Sequence, residues 1–201
     1  MVARQLVARG IGDQRVLAAM RAVPREAFLP ESVRDDAYRD GALPIAAGQT
    51  MSQPWIVARM TELLGLTGSE KVLEVGTGSG YAAAVLSLCA ARVVTIERHP
   101  ELAESARRTL AELGYANVKV RAGDGTRGAP DEAPFDAISV TAAATGEPPA
   151  ALSAQLAPGG RLVCPVRRGH RELLMRFTGG REEAVVPVRF VPLVADAGEG
   201  R

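Results

Sequence analysis

Acidic residues and glycines recur where short apolar segments of the sequence end. The first such stretch, "VLEVGTGSGY", holds Glu74 and a glycine-rich turn made of Gly76, Thr77, Gly78 and Gly80. Glycine lets the backbone approach a ligand closely and leaves the N-terminus of the following helix open to it. The spacing is G-x-G-x-G, whereas the dinucleotide fingerprint has its third glycine one position later. Alone, this motif fits a ligand site and an ordinary strand-to-helix turn about equally well.

Two further carboxylates favour the ligand site. Glu97 ends the next segment, "VVTIER", and an acidic residue at that place in an open α/β fold bonds both hydroxyls of a ribose. The third segment ends in "AGDG", where Asp124 could accept a hydrogen bond from the amine of adenine and Gly125 would leave room for the ring. Glu74 could accept one from the ammonium of an amino acid. Amino-acid, ribose and adenine partners in succession predict S-adenosylmethionine as the ligand.

An alternation of strands and helices, beginning at Lys71, must position these residues. Predicted strands are "KVLEVG", "RVVTIE", "NVKVRAG", "FDAISVTAA" and "GRLVCPV", and predicted helices are "YAAAVLSLCA", "PELAESARRTLAELG" and the segment from Pro148 to Gly160. This order indicates an α/β fold, a doubly wound, mostly parallel Rossmann-like sheet with helices on both faces. The last segments, "ELLMRF" and "AVVPVRFVPLV", are joined by the turn "TGGREE". They predict a C-terminal antiparallel hairpin at the sheet edge.

The sequence before this alternation predicts an N-terminal helical extension. Apolar residues recur at helical spacing in "DQRVLAAMRAVPREAF", behind Asp13 as a plausible N-cap and before Pro24 as a terminator. The later segment "GQTMSQP" is ambiguous: Ser52 is well placed to cap the helix that begins near Pro54, but its polar side chains can also carry chemistry. We expect one domain over residues 1–201, comprising an extension (1–65) with an active-site loop (46–54), a cofactor-binding core (66–166) and the hairpin (167–201).

Composition and charge exclude several classes of protein. The chain has 201 residues, a formal net charge of +1, 47% hydrophobic and 23% charged residues, so no global field favours nucleic acid or a membrane surface. Cys89 and Cys164 lie in apolar runs typical of buried, reduced thiols, and no run resembles a signal peptide or a membrane span. His99 and His170 lack the paired spacing of a metal site. We expect a cytoplasmic protein with no nucleic acid, membrane or metal partner.

Taken together, the motifs resemble those of a known family. "LEVGTGSGY", "VTIER", "AGDG" and "PFDAISVTAA" are similar to the successive motifs of class I S-adenosylmethionine-dependent methyltransferases. With "AVPREAF", "LPIAAGQTMSQPWIVARMTELL" and "VRFVPLV" added, nearly the whole chain resembles the protein-L-isoaspartate O-methyltransferase family. It departs from the usual family pattern at Arg167, where glycine is common, and at Ala46, Ala47 and Ala82.

The resemblance implies a protein repair enzyme. Such an enzyme transfers the methyl group of S-adenosylmethionine to the free α-carboxylate of an L-isoaspartyl residue, leaving S-adenosyl-L-homocysteine. The methyl ester then closes to a succinimide, which hydrolyses in part to normal aspartate. The resemblance makes Ser52 the active-site residue, Gln49 and Thr50 part of the loop that lines the cofactor site, and Val191 and Pro192 the contact with the substrate peptide. It implies isoaspartyl proteins and peptides as partners of a monomer.

Elementary chemistry agrees with so sparse a site. A carboxylate with a reference pKa of about 4 is already ionised at neutral pH, so the nucleophile needs no general base. A hydroxyl such as that of Ser52 can hydrogen-bond the carboxylate and aim it at the methyl group. Two alternatives stay open: a carboxyl methyltransferase of the same fold dedicated to one biosynthetic peptide or small carboxylate, and a non-catalytic module that binds the cofactor.

Overall fold

The computed structural model of the chain describes residues 1–195. Its strands are β1 (Leu43–Pro44), β2 (Thr50–Met51), β3 (Lys71–Val75), β4 (Arg92–Glu97), β5 (Val118–Ala122), β6 (Phe135–Val140), β7 (Ala144–Thr145), β8 (Leu156–Arg168), β9 (Arg171–Thr178) and β10 (Arg181–Pro187). Its α-helices are α1 (Gln14–Ala22), α2 (Pro54–Leu63), α3 (Tyr81–Ser87), α4 (Pro100–Glu112) and α5 (Ala150–Ser153). The final residues of the predicted hairpin region, 196–201, lie outside the described part.

The main sheet is parallel in its centre and antiparallel at one edge. Its strand order is β10-β9-β8-β6-β3-β4-β5, and β7 pairs with β8. Strands β8, β6, β3, β4 and β5 run parallel to one another, whereas β9 pairs antiparallel with both β8 and β10. The predicted α/β class and the C-terminal hairpin are confirmed. The chain leaves β3 in one direction towards β4 and later returns to its other side with β6, and ligands bind at such a switch point.

Alternate residues of the central strands face two hydrophobic cores, one on each side of the sheet. Val72 on β3, Val93 on β4 and Ala137 on β6 join the core that α1, α2 and α3 complete. The next residue along β3, Leu73, faces the opposite core, where Leu152 of α5 is buried. This period of two follows from the pleat, because successive side chains of a strand point to opposite faces. It also fixes which side of the sheet each polar residue of these strands can reach.

The N-terminal layer begins as the sequence predicts. The Asp13 carboxylate accepts hydrogen bonds from the N–H groups of Arg15 (2.8 Å) and Val16 (3.2 Å), which caps α1. The helix ends before Pro24, and its apolar side chains are buried against α2 and α3. Within residues 1–195, no helix combines the length and apolar character that a membrane crossing requires. Cys89 and Cys164 are buried and free, as expected.

One predicted helix is mostly wrong. The segment from Pro148 to Gly160 was expected to be helical, but α5 covers only Ala150–Ser153. Strand β8 already starts at Leu156, which pairs with Phe135 on β6. Pairing with β6 therefore places Leu156 and the residues after it in a strand, although local propensity alone favours a helix there.

Candidate active site

A cavity opens at the carboxyl ends of β3, β4 and β6, at the switch point of the sheet. It holds about 830 Å³ of space, part of it open to solvent. Three parts of the chain far apart in sequence enclose it: the loop with Ser52, the glycine turn after β3, and residues 191–194. Among the predicted residues, its lining includes Gln49, Thr50, Ser52, Gly76, Thr77, Gly78, Glu97, Gly125, Val191 and Pro192.

Two glycines of the predicted site are required by close packing. A Cβ atom on Gly76 would lie 2.3 Å from the Thr141 Oγ1, and one on Gly125 would lie 2.5 Å from Val75 Cγ1. Both distances are far below van der Waals contact. Glycine at these two positions therefore lets the turns that follow β3 and β5 pack closely against Thr141 and Val75. Gly80, in contrast, is buried against α4 and precedes α3, so it shapes the turn and does not line the cavity.

Glu97 presents a carboxylate that is fixed before any ligand arrives. Its Oε2 accepts a hydrogen bond from the N–H of Gly78 (2.8 Å), and its Oε1 accepts one from the N–H of His99 (3.0 Å). The side chain is 5% exposed and lines the cavity. Each carboxylate oxygen has a second lone pair, so two acceptor positions remain for hydroxyl groups.

Glu74 is not among the residues that line the cavity, so its predicted contact with an ammonium group stays a prediction. Its side chain is fully buried, and Oε2 accepts a hydrogen bond from Thr95 Oγ1 (2.6 Å) on β4. Thr95 in turn shares a hydrogen bond with Thr77 Oγ1 (2.6 Å), which lines the cavity. Glu74 points to the same side of β3 as Val72, towards the helical layer, and among residues 1–195 these two hydroxyls link it to the cavity. Burial raises its pKa to about 8, Thr95 opposes that shift, and the Glu97 charge adds to it.

Asp124 serves first as a cap. Its Oδ1 accepts hydrogen bonds from the N–H (2.9 Å) and the hydroxyl (2.7 Å) of Thr126, at the start of the short turn Gly125–Arg127. Gly125 lines the cavity and Asp124 does not. The predicted contact of Asp124 with adenine therefore stays a prediction, and so does the room for the ring at Gly125, where Val75 packs against the glycine.

Ser52 lies between two pieces of regular structure and belongs to neither. Strand β2 ends at Met51, which pairs with Leu43 of β1, and α2 begins at Pro54 with Gln53 as its N-cap. The Ser52 hydroxyl makes no hydrogen bond with any residue of the described range 1–195, and Ser52 lines the cavity. The expectation that Ser52 caps α2 is therefore wrong, because the helix starts one residue too late for its side chain to cap.

The wall opposite the glycine turn is a short extended segment, residues 191–194. The N–H of Ala143 donates to the carbonyl of Val191 (2.8 Å), and the N–H of Leu193 donates to the carbonyl of Ala143 (2.8 Å). These bonds place Val191 and Pro192 at the cavity. Of the lining residues that sequence reasoning missed, Thr141 had a visible signal, since it directly follows a strand of the same sheet edge. The others are Met51, Val57, Val75, Ser79, Tyr81, Ala82, Ile96, Arg98, His99, Ala142, Leu193 and Val194.

Comparison with known proteins decides the family. A family model described as "Protein-L-isoaspartate(D-aspartate) O-methyltransferase (PCMT)" matches residues 1–198. The chain belongs to this family. A curated protein-L-isoaspartate O-methyltransferase of Rhodopseudomonas palustris (strain HaA2) is 56% identical over 98% of this chain and 83% of its own length. The resemblance seen in the sequence is confirmed, and with it the enzyme class.

Solved protein-L-isoaspartate O-methyltransferases share the fold. One has a TM-score of 0.85 at 31% identity; it is the longer protein, since the match covers 96% of this chain and 65% of that one. A second, a putative family member from Plasmodium falciparum in complex with S-adenosyl-L-homocysteine, has a TM-score of 0.81 at 26% identity and 97% coverage of both chains. The family is S-adenosylmethionine-dependent, which confirms the predicted cofactor.

Proposed function

We propose that the cavity holds S-adenosylmethionine with its methyl group towards Ser52, and that Ser52 aims the α-carboxylate of an L-isoaspartyl residue at that methyl group. One observation carries the proposal: within residues 1–195, the Ser52 hydroxyl has no hydrogen-bond partner although it lines the cavity. A serine that served only to start α2 would bond the helix N–H groups. A free hydroxyl at the cavity is instead available to an incoming substrate.

The donor groups of the cavity fit the cofactor. Glu97 has free lone pairs for two ribose hydroxyls, and Gly125 lines the cavity just after β5, where the adenine ring would lie. Gln49 and Thr50 would cover the cofactor from the side of the loop, and Thr77 and Gly78 would hold its methionine end. When bound, S-adenosylmethionine supplies a methyl group on a positively charged sulfur, which becomes neutral once the carboxylate oxygen has taken the methyl group.

Ser52 acts in this proposal by positioning. Its hydroxyl donates a hydrogen bond to one carboxylate oxygen, so that the other oxygen faces the methyl group in line with the bond that breaks. No residue has to accept a proton, because the carboxylate is ionised near neutral pH. A lysine or arginine in the same place would stabilise the charged substrate more than the transition state, in which the two charges have begun to cancel.

The surroundings of Ser52 suit a reaction that removes charge. Met51, Val57, Val191 and Leu193 contribute apolar surface to the cavity. In such surroundings, water competes little with the reacting carboxylate, which favours neutral products over charged reactants. Val191 and Pro192, in the extended segment that Ala143 holds in place, would meet the backbone of the substrate peptide.

The test is methyl transfer by a Ser52→Ala variant. We expect its turnover on an isoaspartyl peptide to fall by about 100-fold, the usual effect of losing one aligned donor, while its affinity for S-adenosyl-L-homocysteine stays within about 3-fold. The matched control is Ser153→Ala, the same change at an exposed position of α5. Labelled methyl should appear as base-labile label on isoaspartyl peptides and not on the matched aspartyl peptides. Unchanged turnover by Ser52→Ala would refute the assignment.

A panel of unrelated isoaspartyl peptides tests the repair function itself. We propose that the enzyme accepts many such sequences, works in the cytoplasm and acts as a monomer. Turnover confined to one peptide or one small carboxylate would favour the dedicated methyltransferase instead, and cofactor binding without any methyl transfer would favour a non-catalytic module. Light scattering of the purified chain with and without peptide checks the monomer.

A further inference from the structure

Arg25 is a fully buried cation beside the candidate active site. It begins the short turn Arg25–Phe28, just after α1, and its exposed fraction is 0%. A guanidinium group keeps its charge in proteins, so burying it away from water costs several kcal/mol unless other groups compensate. Burial lowers the pKa of Arg25, an effect that contact with Tyr81 opposes. No acidic side chain of residues 1–195 forms an ion pair with it.

The guanidinium group instead joins three separate segments. Its Nε donates to the carbonyl of Ala37 (2.7 Å), and its Nη2 donates to the carbonyl of Ser52 (2.7 Å). Its central carbon lies 4.6 Å from the ring centroid of Tyr81, which is the first residue of α3 and lines the cavity. Burial raises the pKa of Tyr81 to about 12, so the ring is neutral and the contact is of the cation–π type.

The bond to Ser52 matters because little else fixes that residue. The last pair of the β1–β2 ladder is Leu43 with Met51, and the first backbone bond of α2 runs from Val57 to the carbonyl of Gln53. The carbonyl of Ser52 thus lies between the two hydrogen-bonded structures. Arg25 supplies the donor that it would otherwise lack, on the peptide group adjoining the free hydroxyl.

We propose that Arg25 is a positioning residue for methyl transfer, which holds the Ser52 peptide group against the Tyr81 wall of the cavity and so sets where the Ser52 hydroxyl points. The inference rests on the proposed role of Ser52. Tyr81 has other supports, since its ring packs against Phe28 at 5.8 Å and its hydroxyl contacts Met20 Sδ at 3.6 Å. Loss of Arg25 should therefore disturb Ser52 more than the cofactor cavity.

Two variants test the proposal. Arg25→Lys keeps the charge but loses the planar fork that reaches both carbonyls, and Arg25→Met fills similar space without a donor. Arg25→Met removes the desolvation cost of the buried charge together with the two donors, so it provides a second variant should the lysine variant fail to fold. We expect each variant to lower kcat on an isoaspartyl peptide by about 10- to 100-fold, with the affinity for S-adenosyl-L-homocysteine within about 3-fold. Arg34→Lys is the matched control, because its Nε also donates to a carbonyl, that of Leu29, away from the cavity.

A double-mutant cycle separates positioning from a general structural effect. If Arg25 acts through the Ser52 hydroxyl, then Arg25→Lys or Arg25→Met should change kcat by less than about 3-fold in a Ser52→Ala background. An equal loss in both backgrounds, wild-type kcat in both Arg25 variants, or a cofactor affinity that falls as much as kcat would overturn the inference. Wild-type kcat in Ser52→Ala alone would instead refute the proposed role of Ser52, so the two failures are distinguishable.

Discussion

At the scale of single residues, backbone N–H groups hold the Glu97 carboxylate in place at the cavity. Its two oxygens accept hydrogen bonds from Gly78, on the glycine turn, and from His99, at the start of α4. A carboxylate can accept one hydrogen bond at each oxygen and still offer a further lone pair on each to a ligand. The turn, the strand end and the helix start are therefore held in register by one side chain.

Substitution of Glu97 by glutamine tests this arrangement. The amide has one oxygen, so Glu97→Gln would turn an N–H₂ group towards either Gly78 or His99. We expect the affinity for S-adenosyl-L-homocysteine to fall by about 10- to 100-fold, the range for losing a charged hydrogen-bond acceptor. Calorimetric titration measures it, with Glu101→Gln in the exposed first turn of α4 as the control. Equal affinities in wild type and Glu97→Gln would contradict a ribose contact at this residue.

At the scale of elements, the segment after β10 is fastened to the sheet by Glu172 of β9. The backbone carbonyl of Glu172 accepts from the N–H of Val188 (3.0 Å), and its Oε1 accepts from the N–H of Phe190. Its Oε2 pairs with Arg167 Nη2 (3.0 Å) on β8, the residue at which this chain departs from the family's usual glycine. Arg167 and Glu172 together thus hold the segment that continues into Val191.

We expect Glu172→Gln to weaken peptide binding and spare the cofactor. The amide offers one oxygen for two donors, so either Arg167 or Phe190 loses its partner. The KM for an isoaspartyl peptide should rise by about 3- to 10-fold, as for one lost hydrogen bond, with little change in kcat. The same change at the exposed Glu183, 4.0 Å from Arg176 on the neighbouring strand, is the control. A weaker affinity for S-adenosyl-L-homocysteine with an unchanged KM would mean that the segment serves the cofactor instead.

The elements also show what sequence could predict. Strands β3 to β6 and the cap of α1 follow from local patterns, since runs of apolar residues and an N-cap aspartate act within a few residues. The extent of α5 does not, because Leu156 is drawn into β8 by Phe135. Glu74 lies in a predicted strand, but only the register of β3 with β4 shows that its partner is Thr95. The sequence around Arg25 does not indicate its role, because its contacts are with Ala37, Ser52 and Tyr81, which are distant from it in the chain.

At the scale of the whole molecule, the free energy of unfolding should depend on pH through two buried glutamates, Glu74 and Glu70. We expect their effects to have opposite signs. Glu74 is held with its pKa raised to about 8, chiefly by burial, so the folded state binds a proton that the unfolded state releases above about 4.5. Its contribution to the free energy of unfolding is complete below that lower value. This contribution is lost as pH rises towards about 8, and no more is lost beyond that pH. The total loss is at most about 5 kcal/mol.

Unfolding by urea at pH 5, 6, 7 and 8 measures this term. We expect wild type to lose stability over that range and Glu74→Gln, which cannot titrate, to lose several kcal/mol less. Equal slopes for the two proteins would show that Glu74 is ionised in the fold. The comparison should use protein without cofactor, because a ligand that binds only the folded state adds its own dependence.

Glu70 is the matched control. Burial alone would raise its pKa, but hydrogen bonds from the hydroxyl and N–H of Thr67 and from the N–H of Gly68 lower it to about 2. Its stabilising effect is therefore present above about 4.5 and is lost only as pH falls towards about 2. Between pH 5 and 8, the free energy of unfolding of Glu70→Gln should be lower than that of wild type by a constant amount.

The wall formed by residues 191–194 has a consequence for how the enzyme is made. A polypeptide emerges from the ribosome N-terminus first, so the glycine turn, Ser52 and every strand of the sheet precede this wall. A translation product that stops after β10 would keep the glycine turn, Glu97 and Ser52 but lack the wall that we propose meets the damaged peptide. If residues 191–194 meet the peptide as proposed, such a product would bind the cofactor without methylating damaged protein.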